Sequence, residues 1–376
     1  MKERKMKEKK MKEKKMKAFK KVFIYMILYI LVLQFGIPYV IPAQAVYEDR
    51  LIYDAVKNRP TNIEGVFEQV KKIIDQENIS DYVVILGDSV GFSSPGPADS
   101  SMAHYLNERA KQSGKNFRVF NLSMPSMQTG DIYTVLKKMD QYGISRDHVI
   151  INVIYAGFVA RNPDPPAVFW LKDQLKEVDK ETYDHIKPQL MANQKQEKFI
   201  QKTLKPMKNN MYEKIAIFKY KDYIQAYCKE KIKEVRGNIA SNEDVKAWTE
   251  KDFLKDLLKE PMYQREFSDA AFVMDESNPQ IYFLNKIIEF QKNKDTFIFL
   301  AAMNDKLLEE NVSKPGFQEN MNKIDDYFKN QPIEYKNFNQ TIDYNLFSDH
   351  IHLTPKGYKI LSDRLWDEIQ KWDMKE

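Results

Sequence analysis

The sequence predicts an α/β domain built on a parallel sheet, carried behind one N-terminal membrane segment. Three observations predict it. Short apolar β-branched runs alternate with helical stretches over residues 82–155. The run Val22–Ile41 is almost wholly apolar. A dense lysine tail stands directly before that run.

Residues 1–21 are rich in lysine and hold only three acids, Glu3, Glu8 and Glu13. Such a repetitive, charged stretch cannot bury enough apolar surface to offset the entropy of ordering. The twenty residues that follow are long enough to span a hydrocarbon core of about 30 Å as a helix. Lysine before the span keeps the tail cytoplasmic and sends the remainder outside. Ala43-Gln44-Ala45 also fits a small-x-small cleavage site, so a form secreted after cleavage near Ala45 is the alternative. The apolar run exceeds the usual ~7–15-residue signal core, which favours an anchor. The expected layout is a basic tail over 1–21, a membrane segment over 22–41, a spacer with a first helix over 42–80, and a catalytic domain over 81–376.

Composition excludes several classes. The net charge of +5 is concentrated in the tail, so no basic surface argues for nucleic acid. One cysteine, Cys228, excludes an internal disulfide, a CxxC pair or a thiolate cluster. The histidines at 104, 148, 185, 350 and 352 lack HExxH spacing, and no Gly-rich phosphate cradle is legible. No metal and no cofactor are expected.

Within the domain, Tyr82–Leu86 reads as a buried strand ending at Gly87. Ser100–Gln112 reads as a helix stopped by Gly114. Phe117–Asn121 is a second strand, Gly130–Tyr142 a second helix, and His148–Tyr155 a third strand. This order implies right-handed crossovers and helices on both sheet faces. Residues 163–290 are charged and helical, and are expected to form a large insertion. Strands return at Thr296–Ala302 and Ile333–Phe338. An amphipathic helix over Pro355–Trp372 closes the chain, with Tyr358, Leu361, Leu365 and Ile369 on one face.

Open parallel sheets bind ligands at the carboxyl ends of their strands. Gly87-Asp88-Ser89 stands there, although Gly, Asp and Ser also suit a plain turn. Near the other end of the chain stands Ser348-Asp349-His350-Ile351-His352-Leu353-Thr354-Pro355. Thr354 suits an N-cap and Pro355 the first helical position, which leaves Asp349 and His352 in the loop before the helix. A serine hydroxyl needs a base to act as a nucleophile. His352 can take its proton, and Asp349 can orient the imidazole and stabilise its cation. Ser89, His352 and Asp349 are therefore the candidate catalytic residues.

These two segments resemble the SGNH/GDSL hydrolase superfamily, whose first block is Gly-Asp-Ser and whose last is Asp-x-x-His. The resemblance covers residues 81–160 and 295–372. It implies a flavodoxin-like three-layer sandwich. Val119–Thr129 is similar to the superfamily's second block, with Ser123 where that block has its oxyanion glycine. The resemblance therefore implies the backbone N–H groups of Ser123 and Ser89 as oxyanion donors. The third block, Gly-x-Asn-Asp, has no counterpart in Tyr155–Asn162. Asn152 lies nearby but inside a strand, where a structural role is the plainer expectation. Asn152 and Tyr155 are carried as candidate substrate contacts, and Arg161 and Asn162 as lesser candidates for the missing donor. Tyr155, Phe158, Trp170 and Tyr183 are candidates for a sugar platform, with core packing the plainer expectation.

An extracytoplasmic domain of this kind behind one membrane segment resembles the cell-envelope polysaccharide O-acetyltransferases, nearest to those of bacilli acting on secondary cell wall polysaccharide. That likeness implies a cell-wall polysaccharide acceptor and an integral membrane acyltransferase as acetyl donor. A carbohydrate or lipid esterase and a non-catalytic envelope assembly protein are the alternatives.

Overall fold

The computed structural model describes residues 2–115, 117–159, 165–191, 211–212, 215–235, 244–372 and 374. Its centre is a seven-stranded sheet. The strands are β1 (Tyr47–Glu48), β2 (Arg50–Leu51), β3 (Tyr82–Leu86), β4 (Arg118–Asn121), β5 (His148–Val153), β6 (Asp295–Leu300) and β7 (Glu334–Asn337). Their spatial order is β1-β2-β4-β3-β5-β6-β7. All neighbouring pairs are parallel except β1 with β2. From β4 to β7 the order is 2-1-3-4-5 when the strands are counted from β3, the flavodoxin-like arrangement.

Every residue of β3 and β5 is buried. Continuous apolar runs of this kind suit strands covered on both faces. Val84, Leu86, Val149 and Ile151 face one core, with apolar residues of helices Ile63–Gln76, Thr129–Gln141, Pro279–Phe290 and Pro315–Lys329. Val83, Ile85, Ile150 and Phe299 face the other, with helices Met102–Gln112 and Pro355–Ile369. The result is a three-layer α/β sandwich.

Two expectations from the sequence are corrected. Residues 46–51 are not a polar spacer. They form the β1–β2 hairpin, in which Val46, Tyr47 and Leu51 are buried and Arg50 pairs with Asn121 of β4. The segment Pro279–Phe290 does not belong to the insertion. Asn278 caps it by accepting the Gln280 N–H, Pro279 opens it, and most of its side chains are buried beneath the sheet. It is the helix that leads into β6.

The N-terminal helix runs Lys2–Val40, and its Lys14–Val40 stretch is long and apolar enough to cross a membrane. The end of this helix docks on the domain. Ile37 and Ile41 pack against the core. Gln34 Oε1 accepts the Ala216 N–H at 2.9 Å, and Lys72 donates to the Pro38 carbonyl at 3.3 Å. Ala45, the last residue of the small-x-small motif, is buried in a short 3-10 turn.

Candidate active site

β3 ends at Leu86, and the chain turns at once. Asp88 accepts the Phe92 N–H and Ser89 accepts the Ser94 N–H, both at 2.9 Å, so the segment folds into a tight turn with Ser89 partly exposed at the carboxyl edge. Gly87 is required there. A Cβ on it would lie 1.6 Å from Asn152 Oδ1. The turn is held from outside. Arg50 donates to the carbonyls of Phe92 at 2.8 Å and Gly96 at 2.6 Å, and Tyr358 Oη donates to Ser94 O at 2.6 Å.

The second arm comes from the loop before the last helix. Thr354 Oγ1 accepts the Gly357 N–H as the N-cap, and Pro355 opens the helix. A cap of this type contributes about 1 kcal/mol. Gly357 is needed because a Cβ would sit 2.5 Å from Leu346 O. The loop closes on itself through Ser348 N–H to His352 O at 2.8 Å and Thr354 N–H to Leu346 O at 2.8 Å. Asp349 Oδ1 accepts the backbone N–H groups of Ile351 at 2.9 Å and His352 at 2.8 Å. Asn304, buried just beyond β6, donates its N–H to His350 O and its amide to Asp349 O.

These two arms meet. His352 Nε2 lies 2.7 Å from Ser89 Oγ, and His352 Nδ1 lies 2.7 Å from Asp349 Oδ2. The chain separation between serine and histidine is 263 residues. Burial works against the His352 cation, but the Asp349 charge and hydrogen bond outweigh it, and the imidazole pKa is raised above its ordinary value. Burial likewise opposes the Asp349 anion, but His352, its hydrogen bond and His350 outweigh that and hold the carboxyl well below the usual range. A neutral His352 with Nε2 facing Ser89 can accept a proton, and an ionised Asp349 can fix the tautomer.

The other candidates fare differently. The Ser123 N–H donates to Asn121 Oδ1 at 3.0 Å in a fully buried setting. It is therefore not turned toward an oxyanion beside Ser89, because the side chain two residues earlier has captured it. Asn152 is buried, and its amide is engaged with Asp88. Its Nδ2 donates to Asp88 Oδ1 at 2.8 Å, and its Oδ1 accepts the Asp88 N–H at 3.0 Å. It seats Asp88, the residue beside Ser89. Tyr155 is fully buried, stacked on Phe317 at 4.3 Å, with its hydroxyl donating to Ser268 O and accepting from Asn320. It is a core residue, as is Phe158. Trp170 and Tyr183 pack against the same core from partly exposed positions. Arg161 and Asn162 lie outside the described residues. The Ser89 N–H has no acceptor among the described residues.

Reading along the sequence misses Arg50, Asn304 and Tyr358, which position the two arms, and Asn121, whose amide donates to Gly91 O at 2.7 Å in the turn after Ser89. Asn304 carried one usable signal, its place just after a strand at the carboxyl edge.

No protein-family model matches the chain, and no curated protein matches it. Among solved structures, a psychrotrophic esterase, EstA, from Pseudoalteromonas sp. aligns at 10% identity with a TM-score of 0.37, covering 78% of this chain and 98% of its own. A member of the lipolytic protein G-D-S-L family from Veillonella parvula aligns at 10% identity with a TM-score of 0.36, covering 77% and 99%. Similarity this slight carries no functional inference.

Proposed function

We propose that this chain is a membrane-tethered, extracytoplasmic serine acyl-enzyme that moves acetyl groups onto hydroxyls of a cell-wall polysaccharide. The observation that carries the acyl-enzyme is the line Ser89 Oγ, His352, Asp349, with both hydrogen-bond contacts at 2.7 Å. In the first step Ser89 Oγ attacks the acetyl carbonyl carbon and its proton passes to His352 Nε2. The carbonyl oxygen takes the charge, and the Ser89 N–H is the donor suited to it. The intermediate collapses, the donor's leaving group departs with the proton, and acetyl-Ser89 remains. An acceptor hydroxyl then attacks, His352 takes its proton, and Ser89 Oγ leaves and is reprotonated.

Water or a sugar hydroxyl can serve as acceptor on this geometry, so esterase action shares the same first half. One feature favours acetyl transfer at the envelope. The end of the apolar helix packs on the domain, and a short tether of that kind would keep the domain beside a membrane-borne donor at high effective concentration.

The test is release of a chromogenic alcohol from an acetyl ester, measured with and without a soluble cell-wall polysaccharide. Transfer is expected to show faster release with acceptor, together with acetylated glycan. Release that no glycan changes assigns the chain to the esterases. Full biological activity in a Ser89→Ala protein assigns it to assembly without catalysis.

A further inference from the structure

The helical insertion returns to the site before the chain enters β6, and its last part touches both arms. Val245 Cγ1 comes within 4.0 Å of the position a Cβ would take on Gly96, in the segment after Ser89. Trp248 donates its backbone N–H to Phe347 O at 2.9 Å and its indole N–H to Tyr344 O at 2.9 Å. Lys251 Nζ donates to Ser348 O at 2.9 Å and to Asp244 O at 2.6 Å. Farther along, the rings of Tyr263 and Phe267 meet His350 edge-on, with centroids at 5.1 and 5.4 Å. Every residue from Tyr344 to His350 that is gripped this way lies within the loop presenting Asp349 and His352.

We propose that Trp248 and Lys251 are positioning residues for the Asp349–His352 loop, so that the insertion sets the geometry and charge of the acid–base pair. The grip falls on carbonyls, which leaves the Asp349 carboxylate and the imidazole free to face each other. Ser348 is the residue before Asp349. A shift of its carbonyl therefore moves the carboxylate directly, and displacements on the order of 1 Å at such a site cost up to about a hundredfold in rate. Lys251 also brings a positive charge toward His352. The charged and titratable groups facing that imidazole are Asp349 and His350 on its own loop, Asp88 beside Ser89, and Lys251 from the insertion. The Lys251 ammonium opposes the two carboxylates and restrains the rise in the His352 pKa.

The inference rests on the acyl-enzyme reading, and the experiment separates the two. Full-length Lys251→Met, Lys251→Arg and Trp248→Phe proteins are compared with the parent. Lys259→Met serves as control, since Lys259 pairs with Asp256 at the surface. The readouts are kcat/KM against pH with p-nitrophenyl acetate, the melting temperature, and the titration of the His352 ring by NMR. Lys251→Met is expected to move both the acid limb and the ring titration to higher pH. Its kcat is expected to fall on the order of tenfold with KM little changed. Lys251→Arg is expected to restore most of both, and Lys259→Met to change neither. Trp248→Phe is expected to lower kcat with the limb in place. A Lys251→Met protein with parental limb and parental kcat overturns the proposal. So does one that loses activity only together with its melting temperature while the ring titration stays put. Failure of the acyl-enzyme reading shows separately, as undiminished turnover in Ser89→Ala, and leaves the ring titration readable.

Discussion

Asn152 of β5 and Asp88, two residues past the end of β3, clasp each other. The asparagine amide donates to the Asp88 carboxylate at 2.8 Å while its oxygen accepts the Asp88 N–H at 3.0 Å. The pair sets the residue beside Ser89 in both directions, and its tight seat explains why position 87 is glycine. Asn152→Ala leaves the Asp88 N–H without its partner and the carboxylate with one fewer donor. The expected loss is about 2–3 kcal/mol in unfolding free energy. Ester turnover is expected to fall with it. Urea unfolding and p-nitrophenyl acetate hydrolysis check both, and unchanged values in the variant would contradict the role.

The imidazole–carboxylate pair sets a pH profile. His352 is raised by Asp349 and must be neutral to accept the Ser89 proton. The acid limb of kcat/KM is therefore expected above the ordinary histidine value of 6.5. Asp349→Asn removes the charge that raises the imidazole and the acceptor that orients it. Its limb is expected to move to lower pH, with kcat lower by roughly a thousandfold or more. A pH series on both proteins decides this.

His350 contributes an acid-sensitive element of stability. Its ring is buried between Tyr263 and Phe267, its Nδ1 has no hydrogen-bond partner among the described residues, and burial pushes its pKa down to about 4. The folded state thus resists a proton that the unfolded chain accepts. Stability is full above the unfolded value of 6.5 and is lost as pH falls toward about 4, by about 3 kcal/mol for this group alone. His350→Phe is expected to flatten that loss. Urea unfolding at neutral pH and at mildly acidic pH reads it, and an equal acid loss in both proteins would speak against it.

Asp131 ties the start of the insertion to the loop after β4. Its carboxylate accepts the backbone N–H groups of Gln128, Phe169, Trp170 and Leu171 at 2.8–3.0 Å from a fully buried position. Asp131→Ala orphans four donors, and the expected cost is at least ~3 kcal/mol. The Trp170 indole, which donates to Pro125 O at 2.8 Å, is expected to loosen as well. A melting temperature close to the parent's would count against this.

The legible parts of the molecule are those written in local pattern. The apolar runs of β3, β5 and β6 mark the buried sheet, and Thr354-Pro355 marks where the last helix starts. Both place their flanking residues at the carboxyl edge without any knowledge of packing. The illegible parts depend on partners far along the chain or on single atoms. Asn152 reads as a strand residue because Asp88, its partner, lies 64 positions away. Ser123 reads as an oxyanion donor through the resemblance alone, although Asn121, two residues earlier, is a local side chain able to take its N–H. Tyr155 stands after a strand at the carboxyl edge, but its ring turns inward to Phe317. The β1–β2 hairpin is hidden because its strands are two residues each, too short to show alternation. The helix Pro279–Phe290 follows a charged stretch and reads as more of it, although Asn278-Pro279 is a start signal.

The most direct measurement is the mass and position of a covalent adduct. The full-length protein is incubated briefly with p-nitrophenyl acetate, quenched in acid and mapped by peptide mass spectrometry. One acetyl group on the peptide containing Ser89 is expected, with none in Ser89→Ala and accumulation slowed in His352→Gln. Parental ester turnover in Ser89→Ala, or an acetyl group that settles on another residue, would contradict the Ser89 acyl-enzyme.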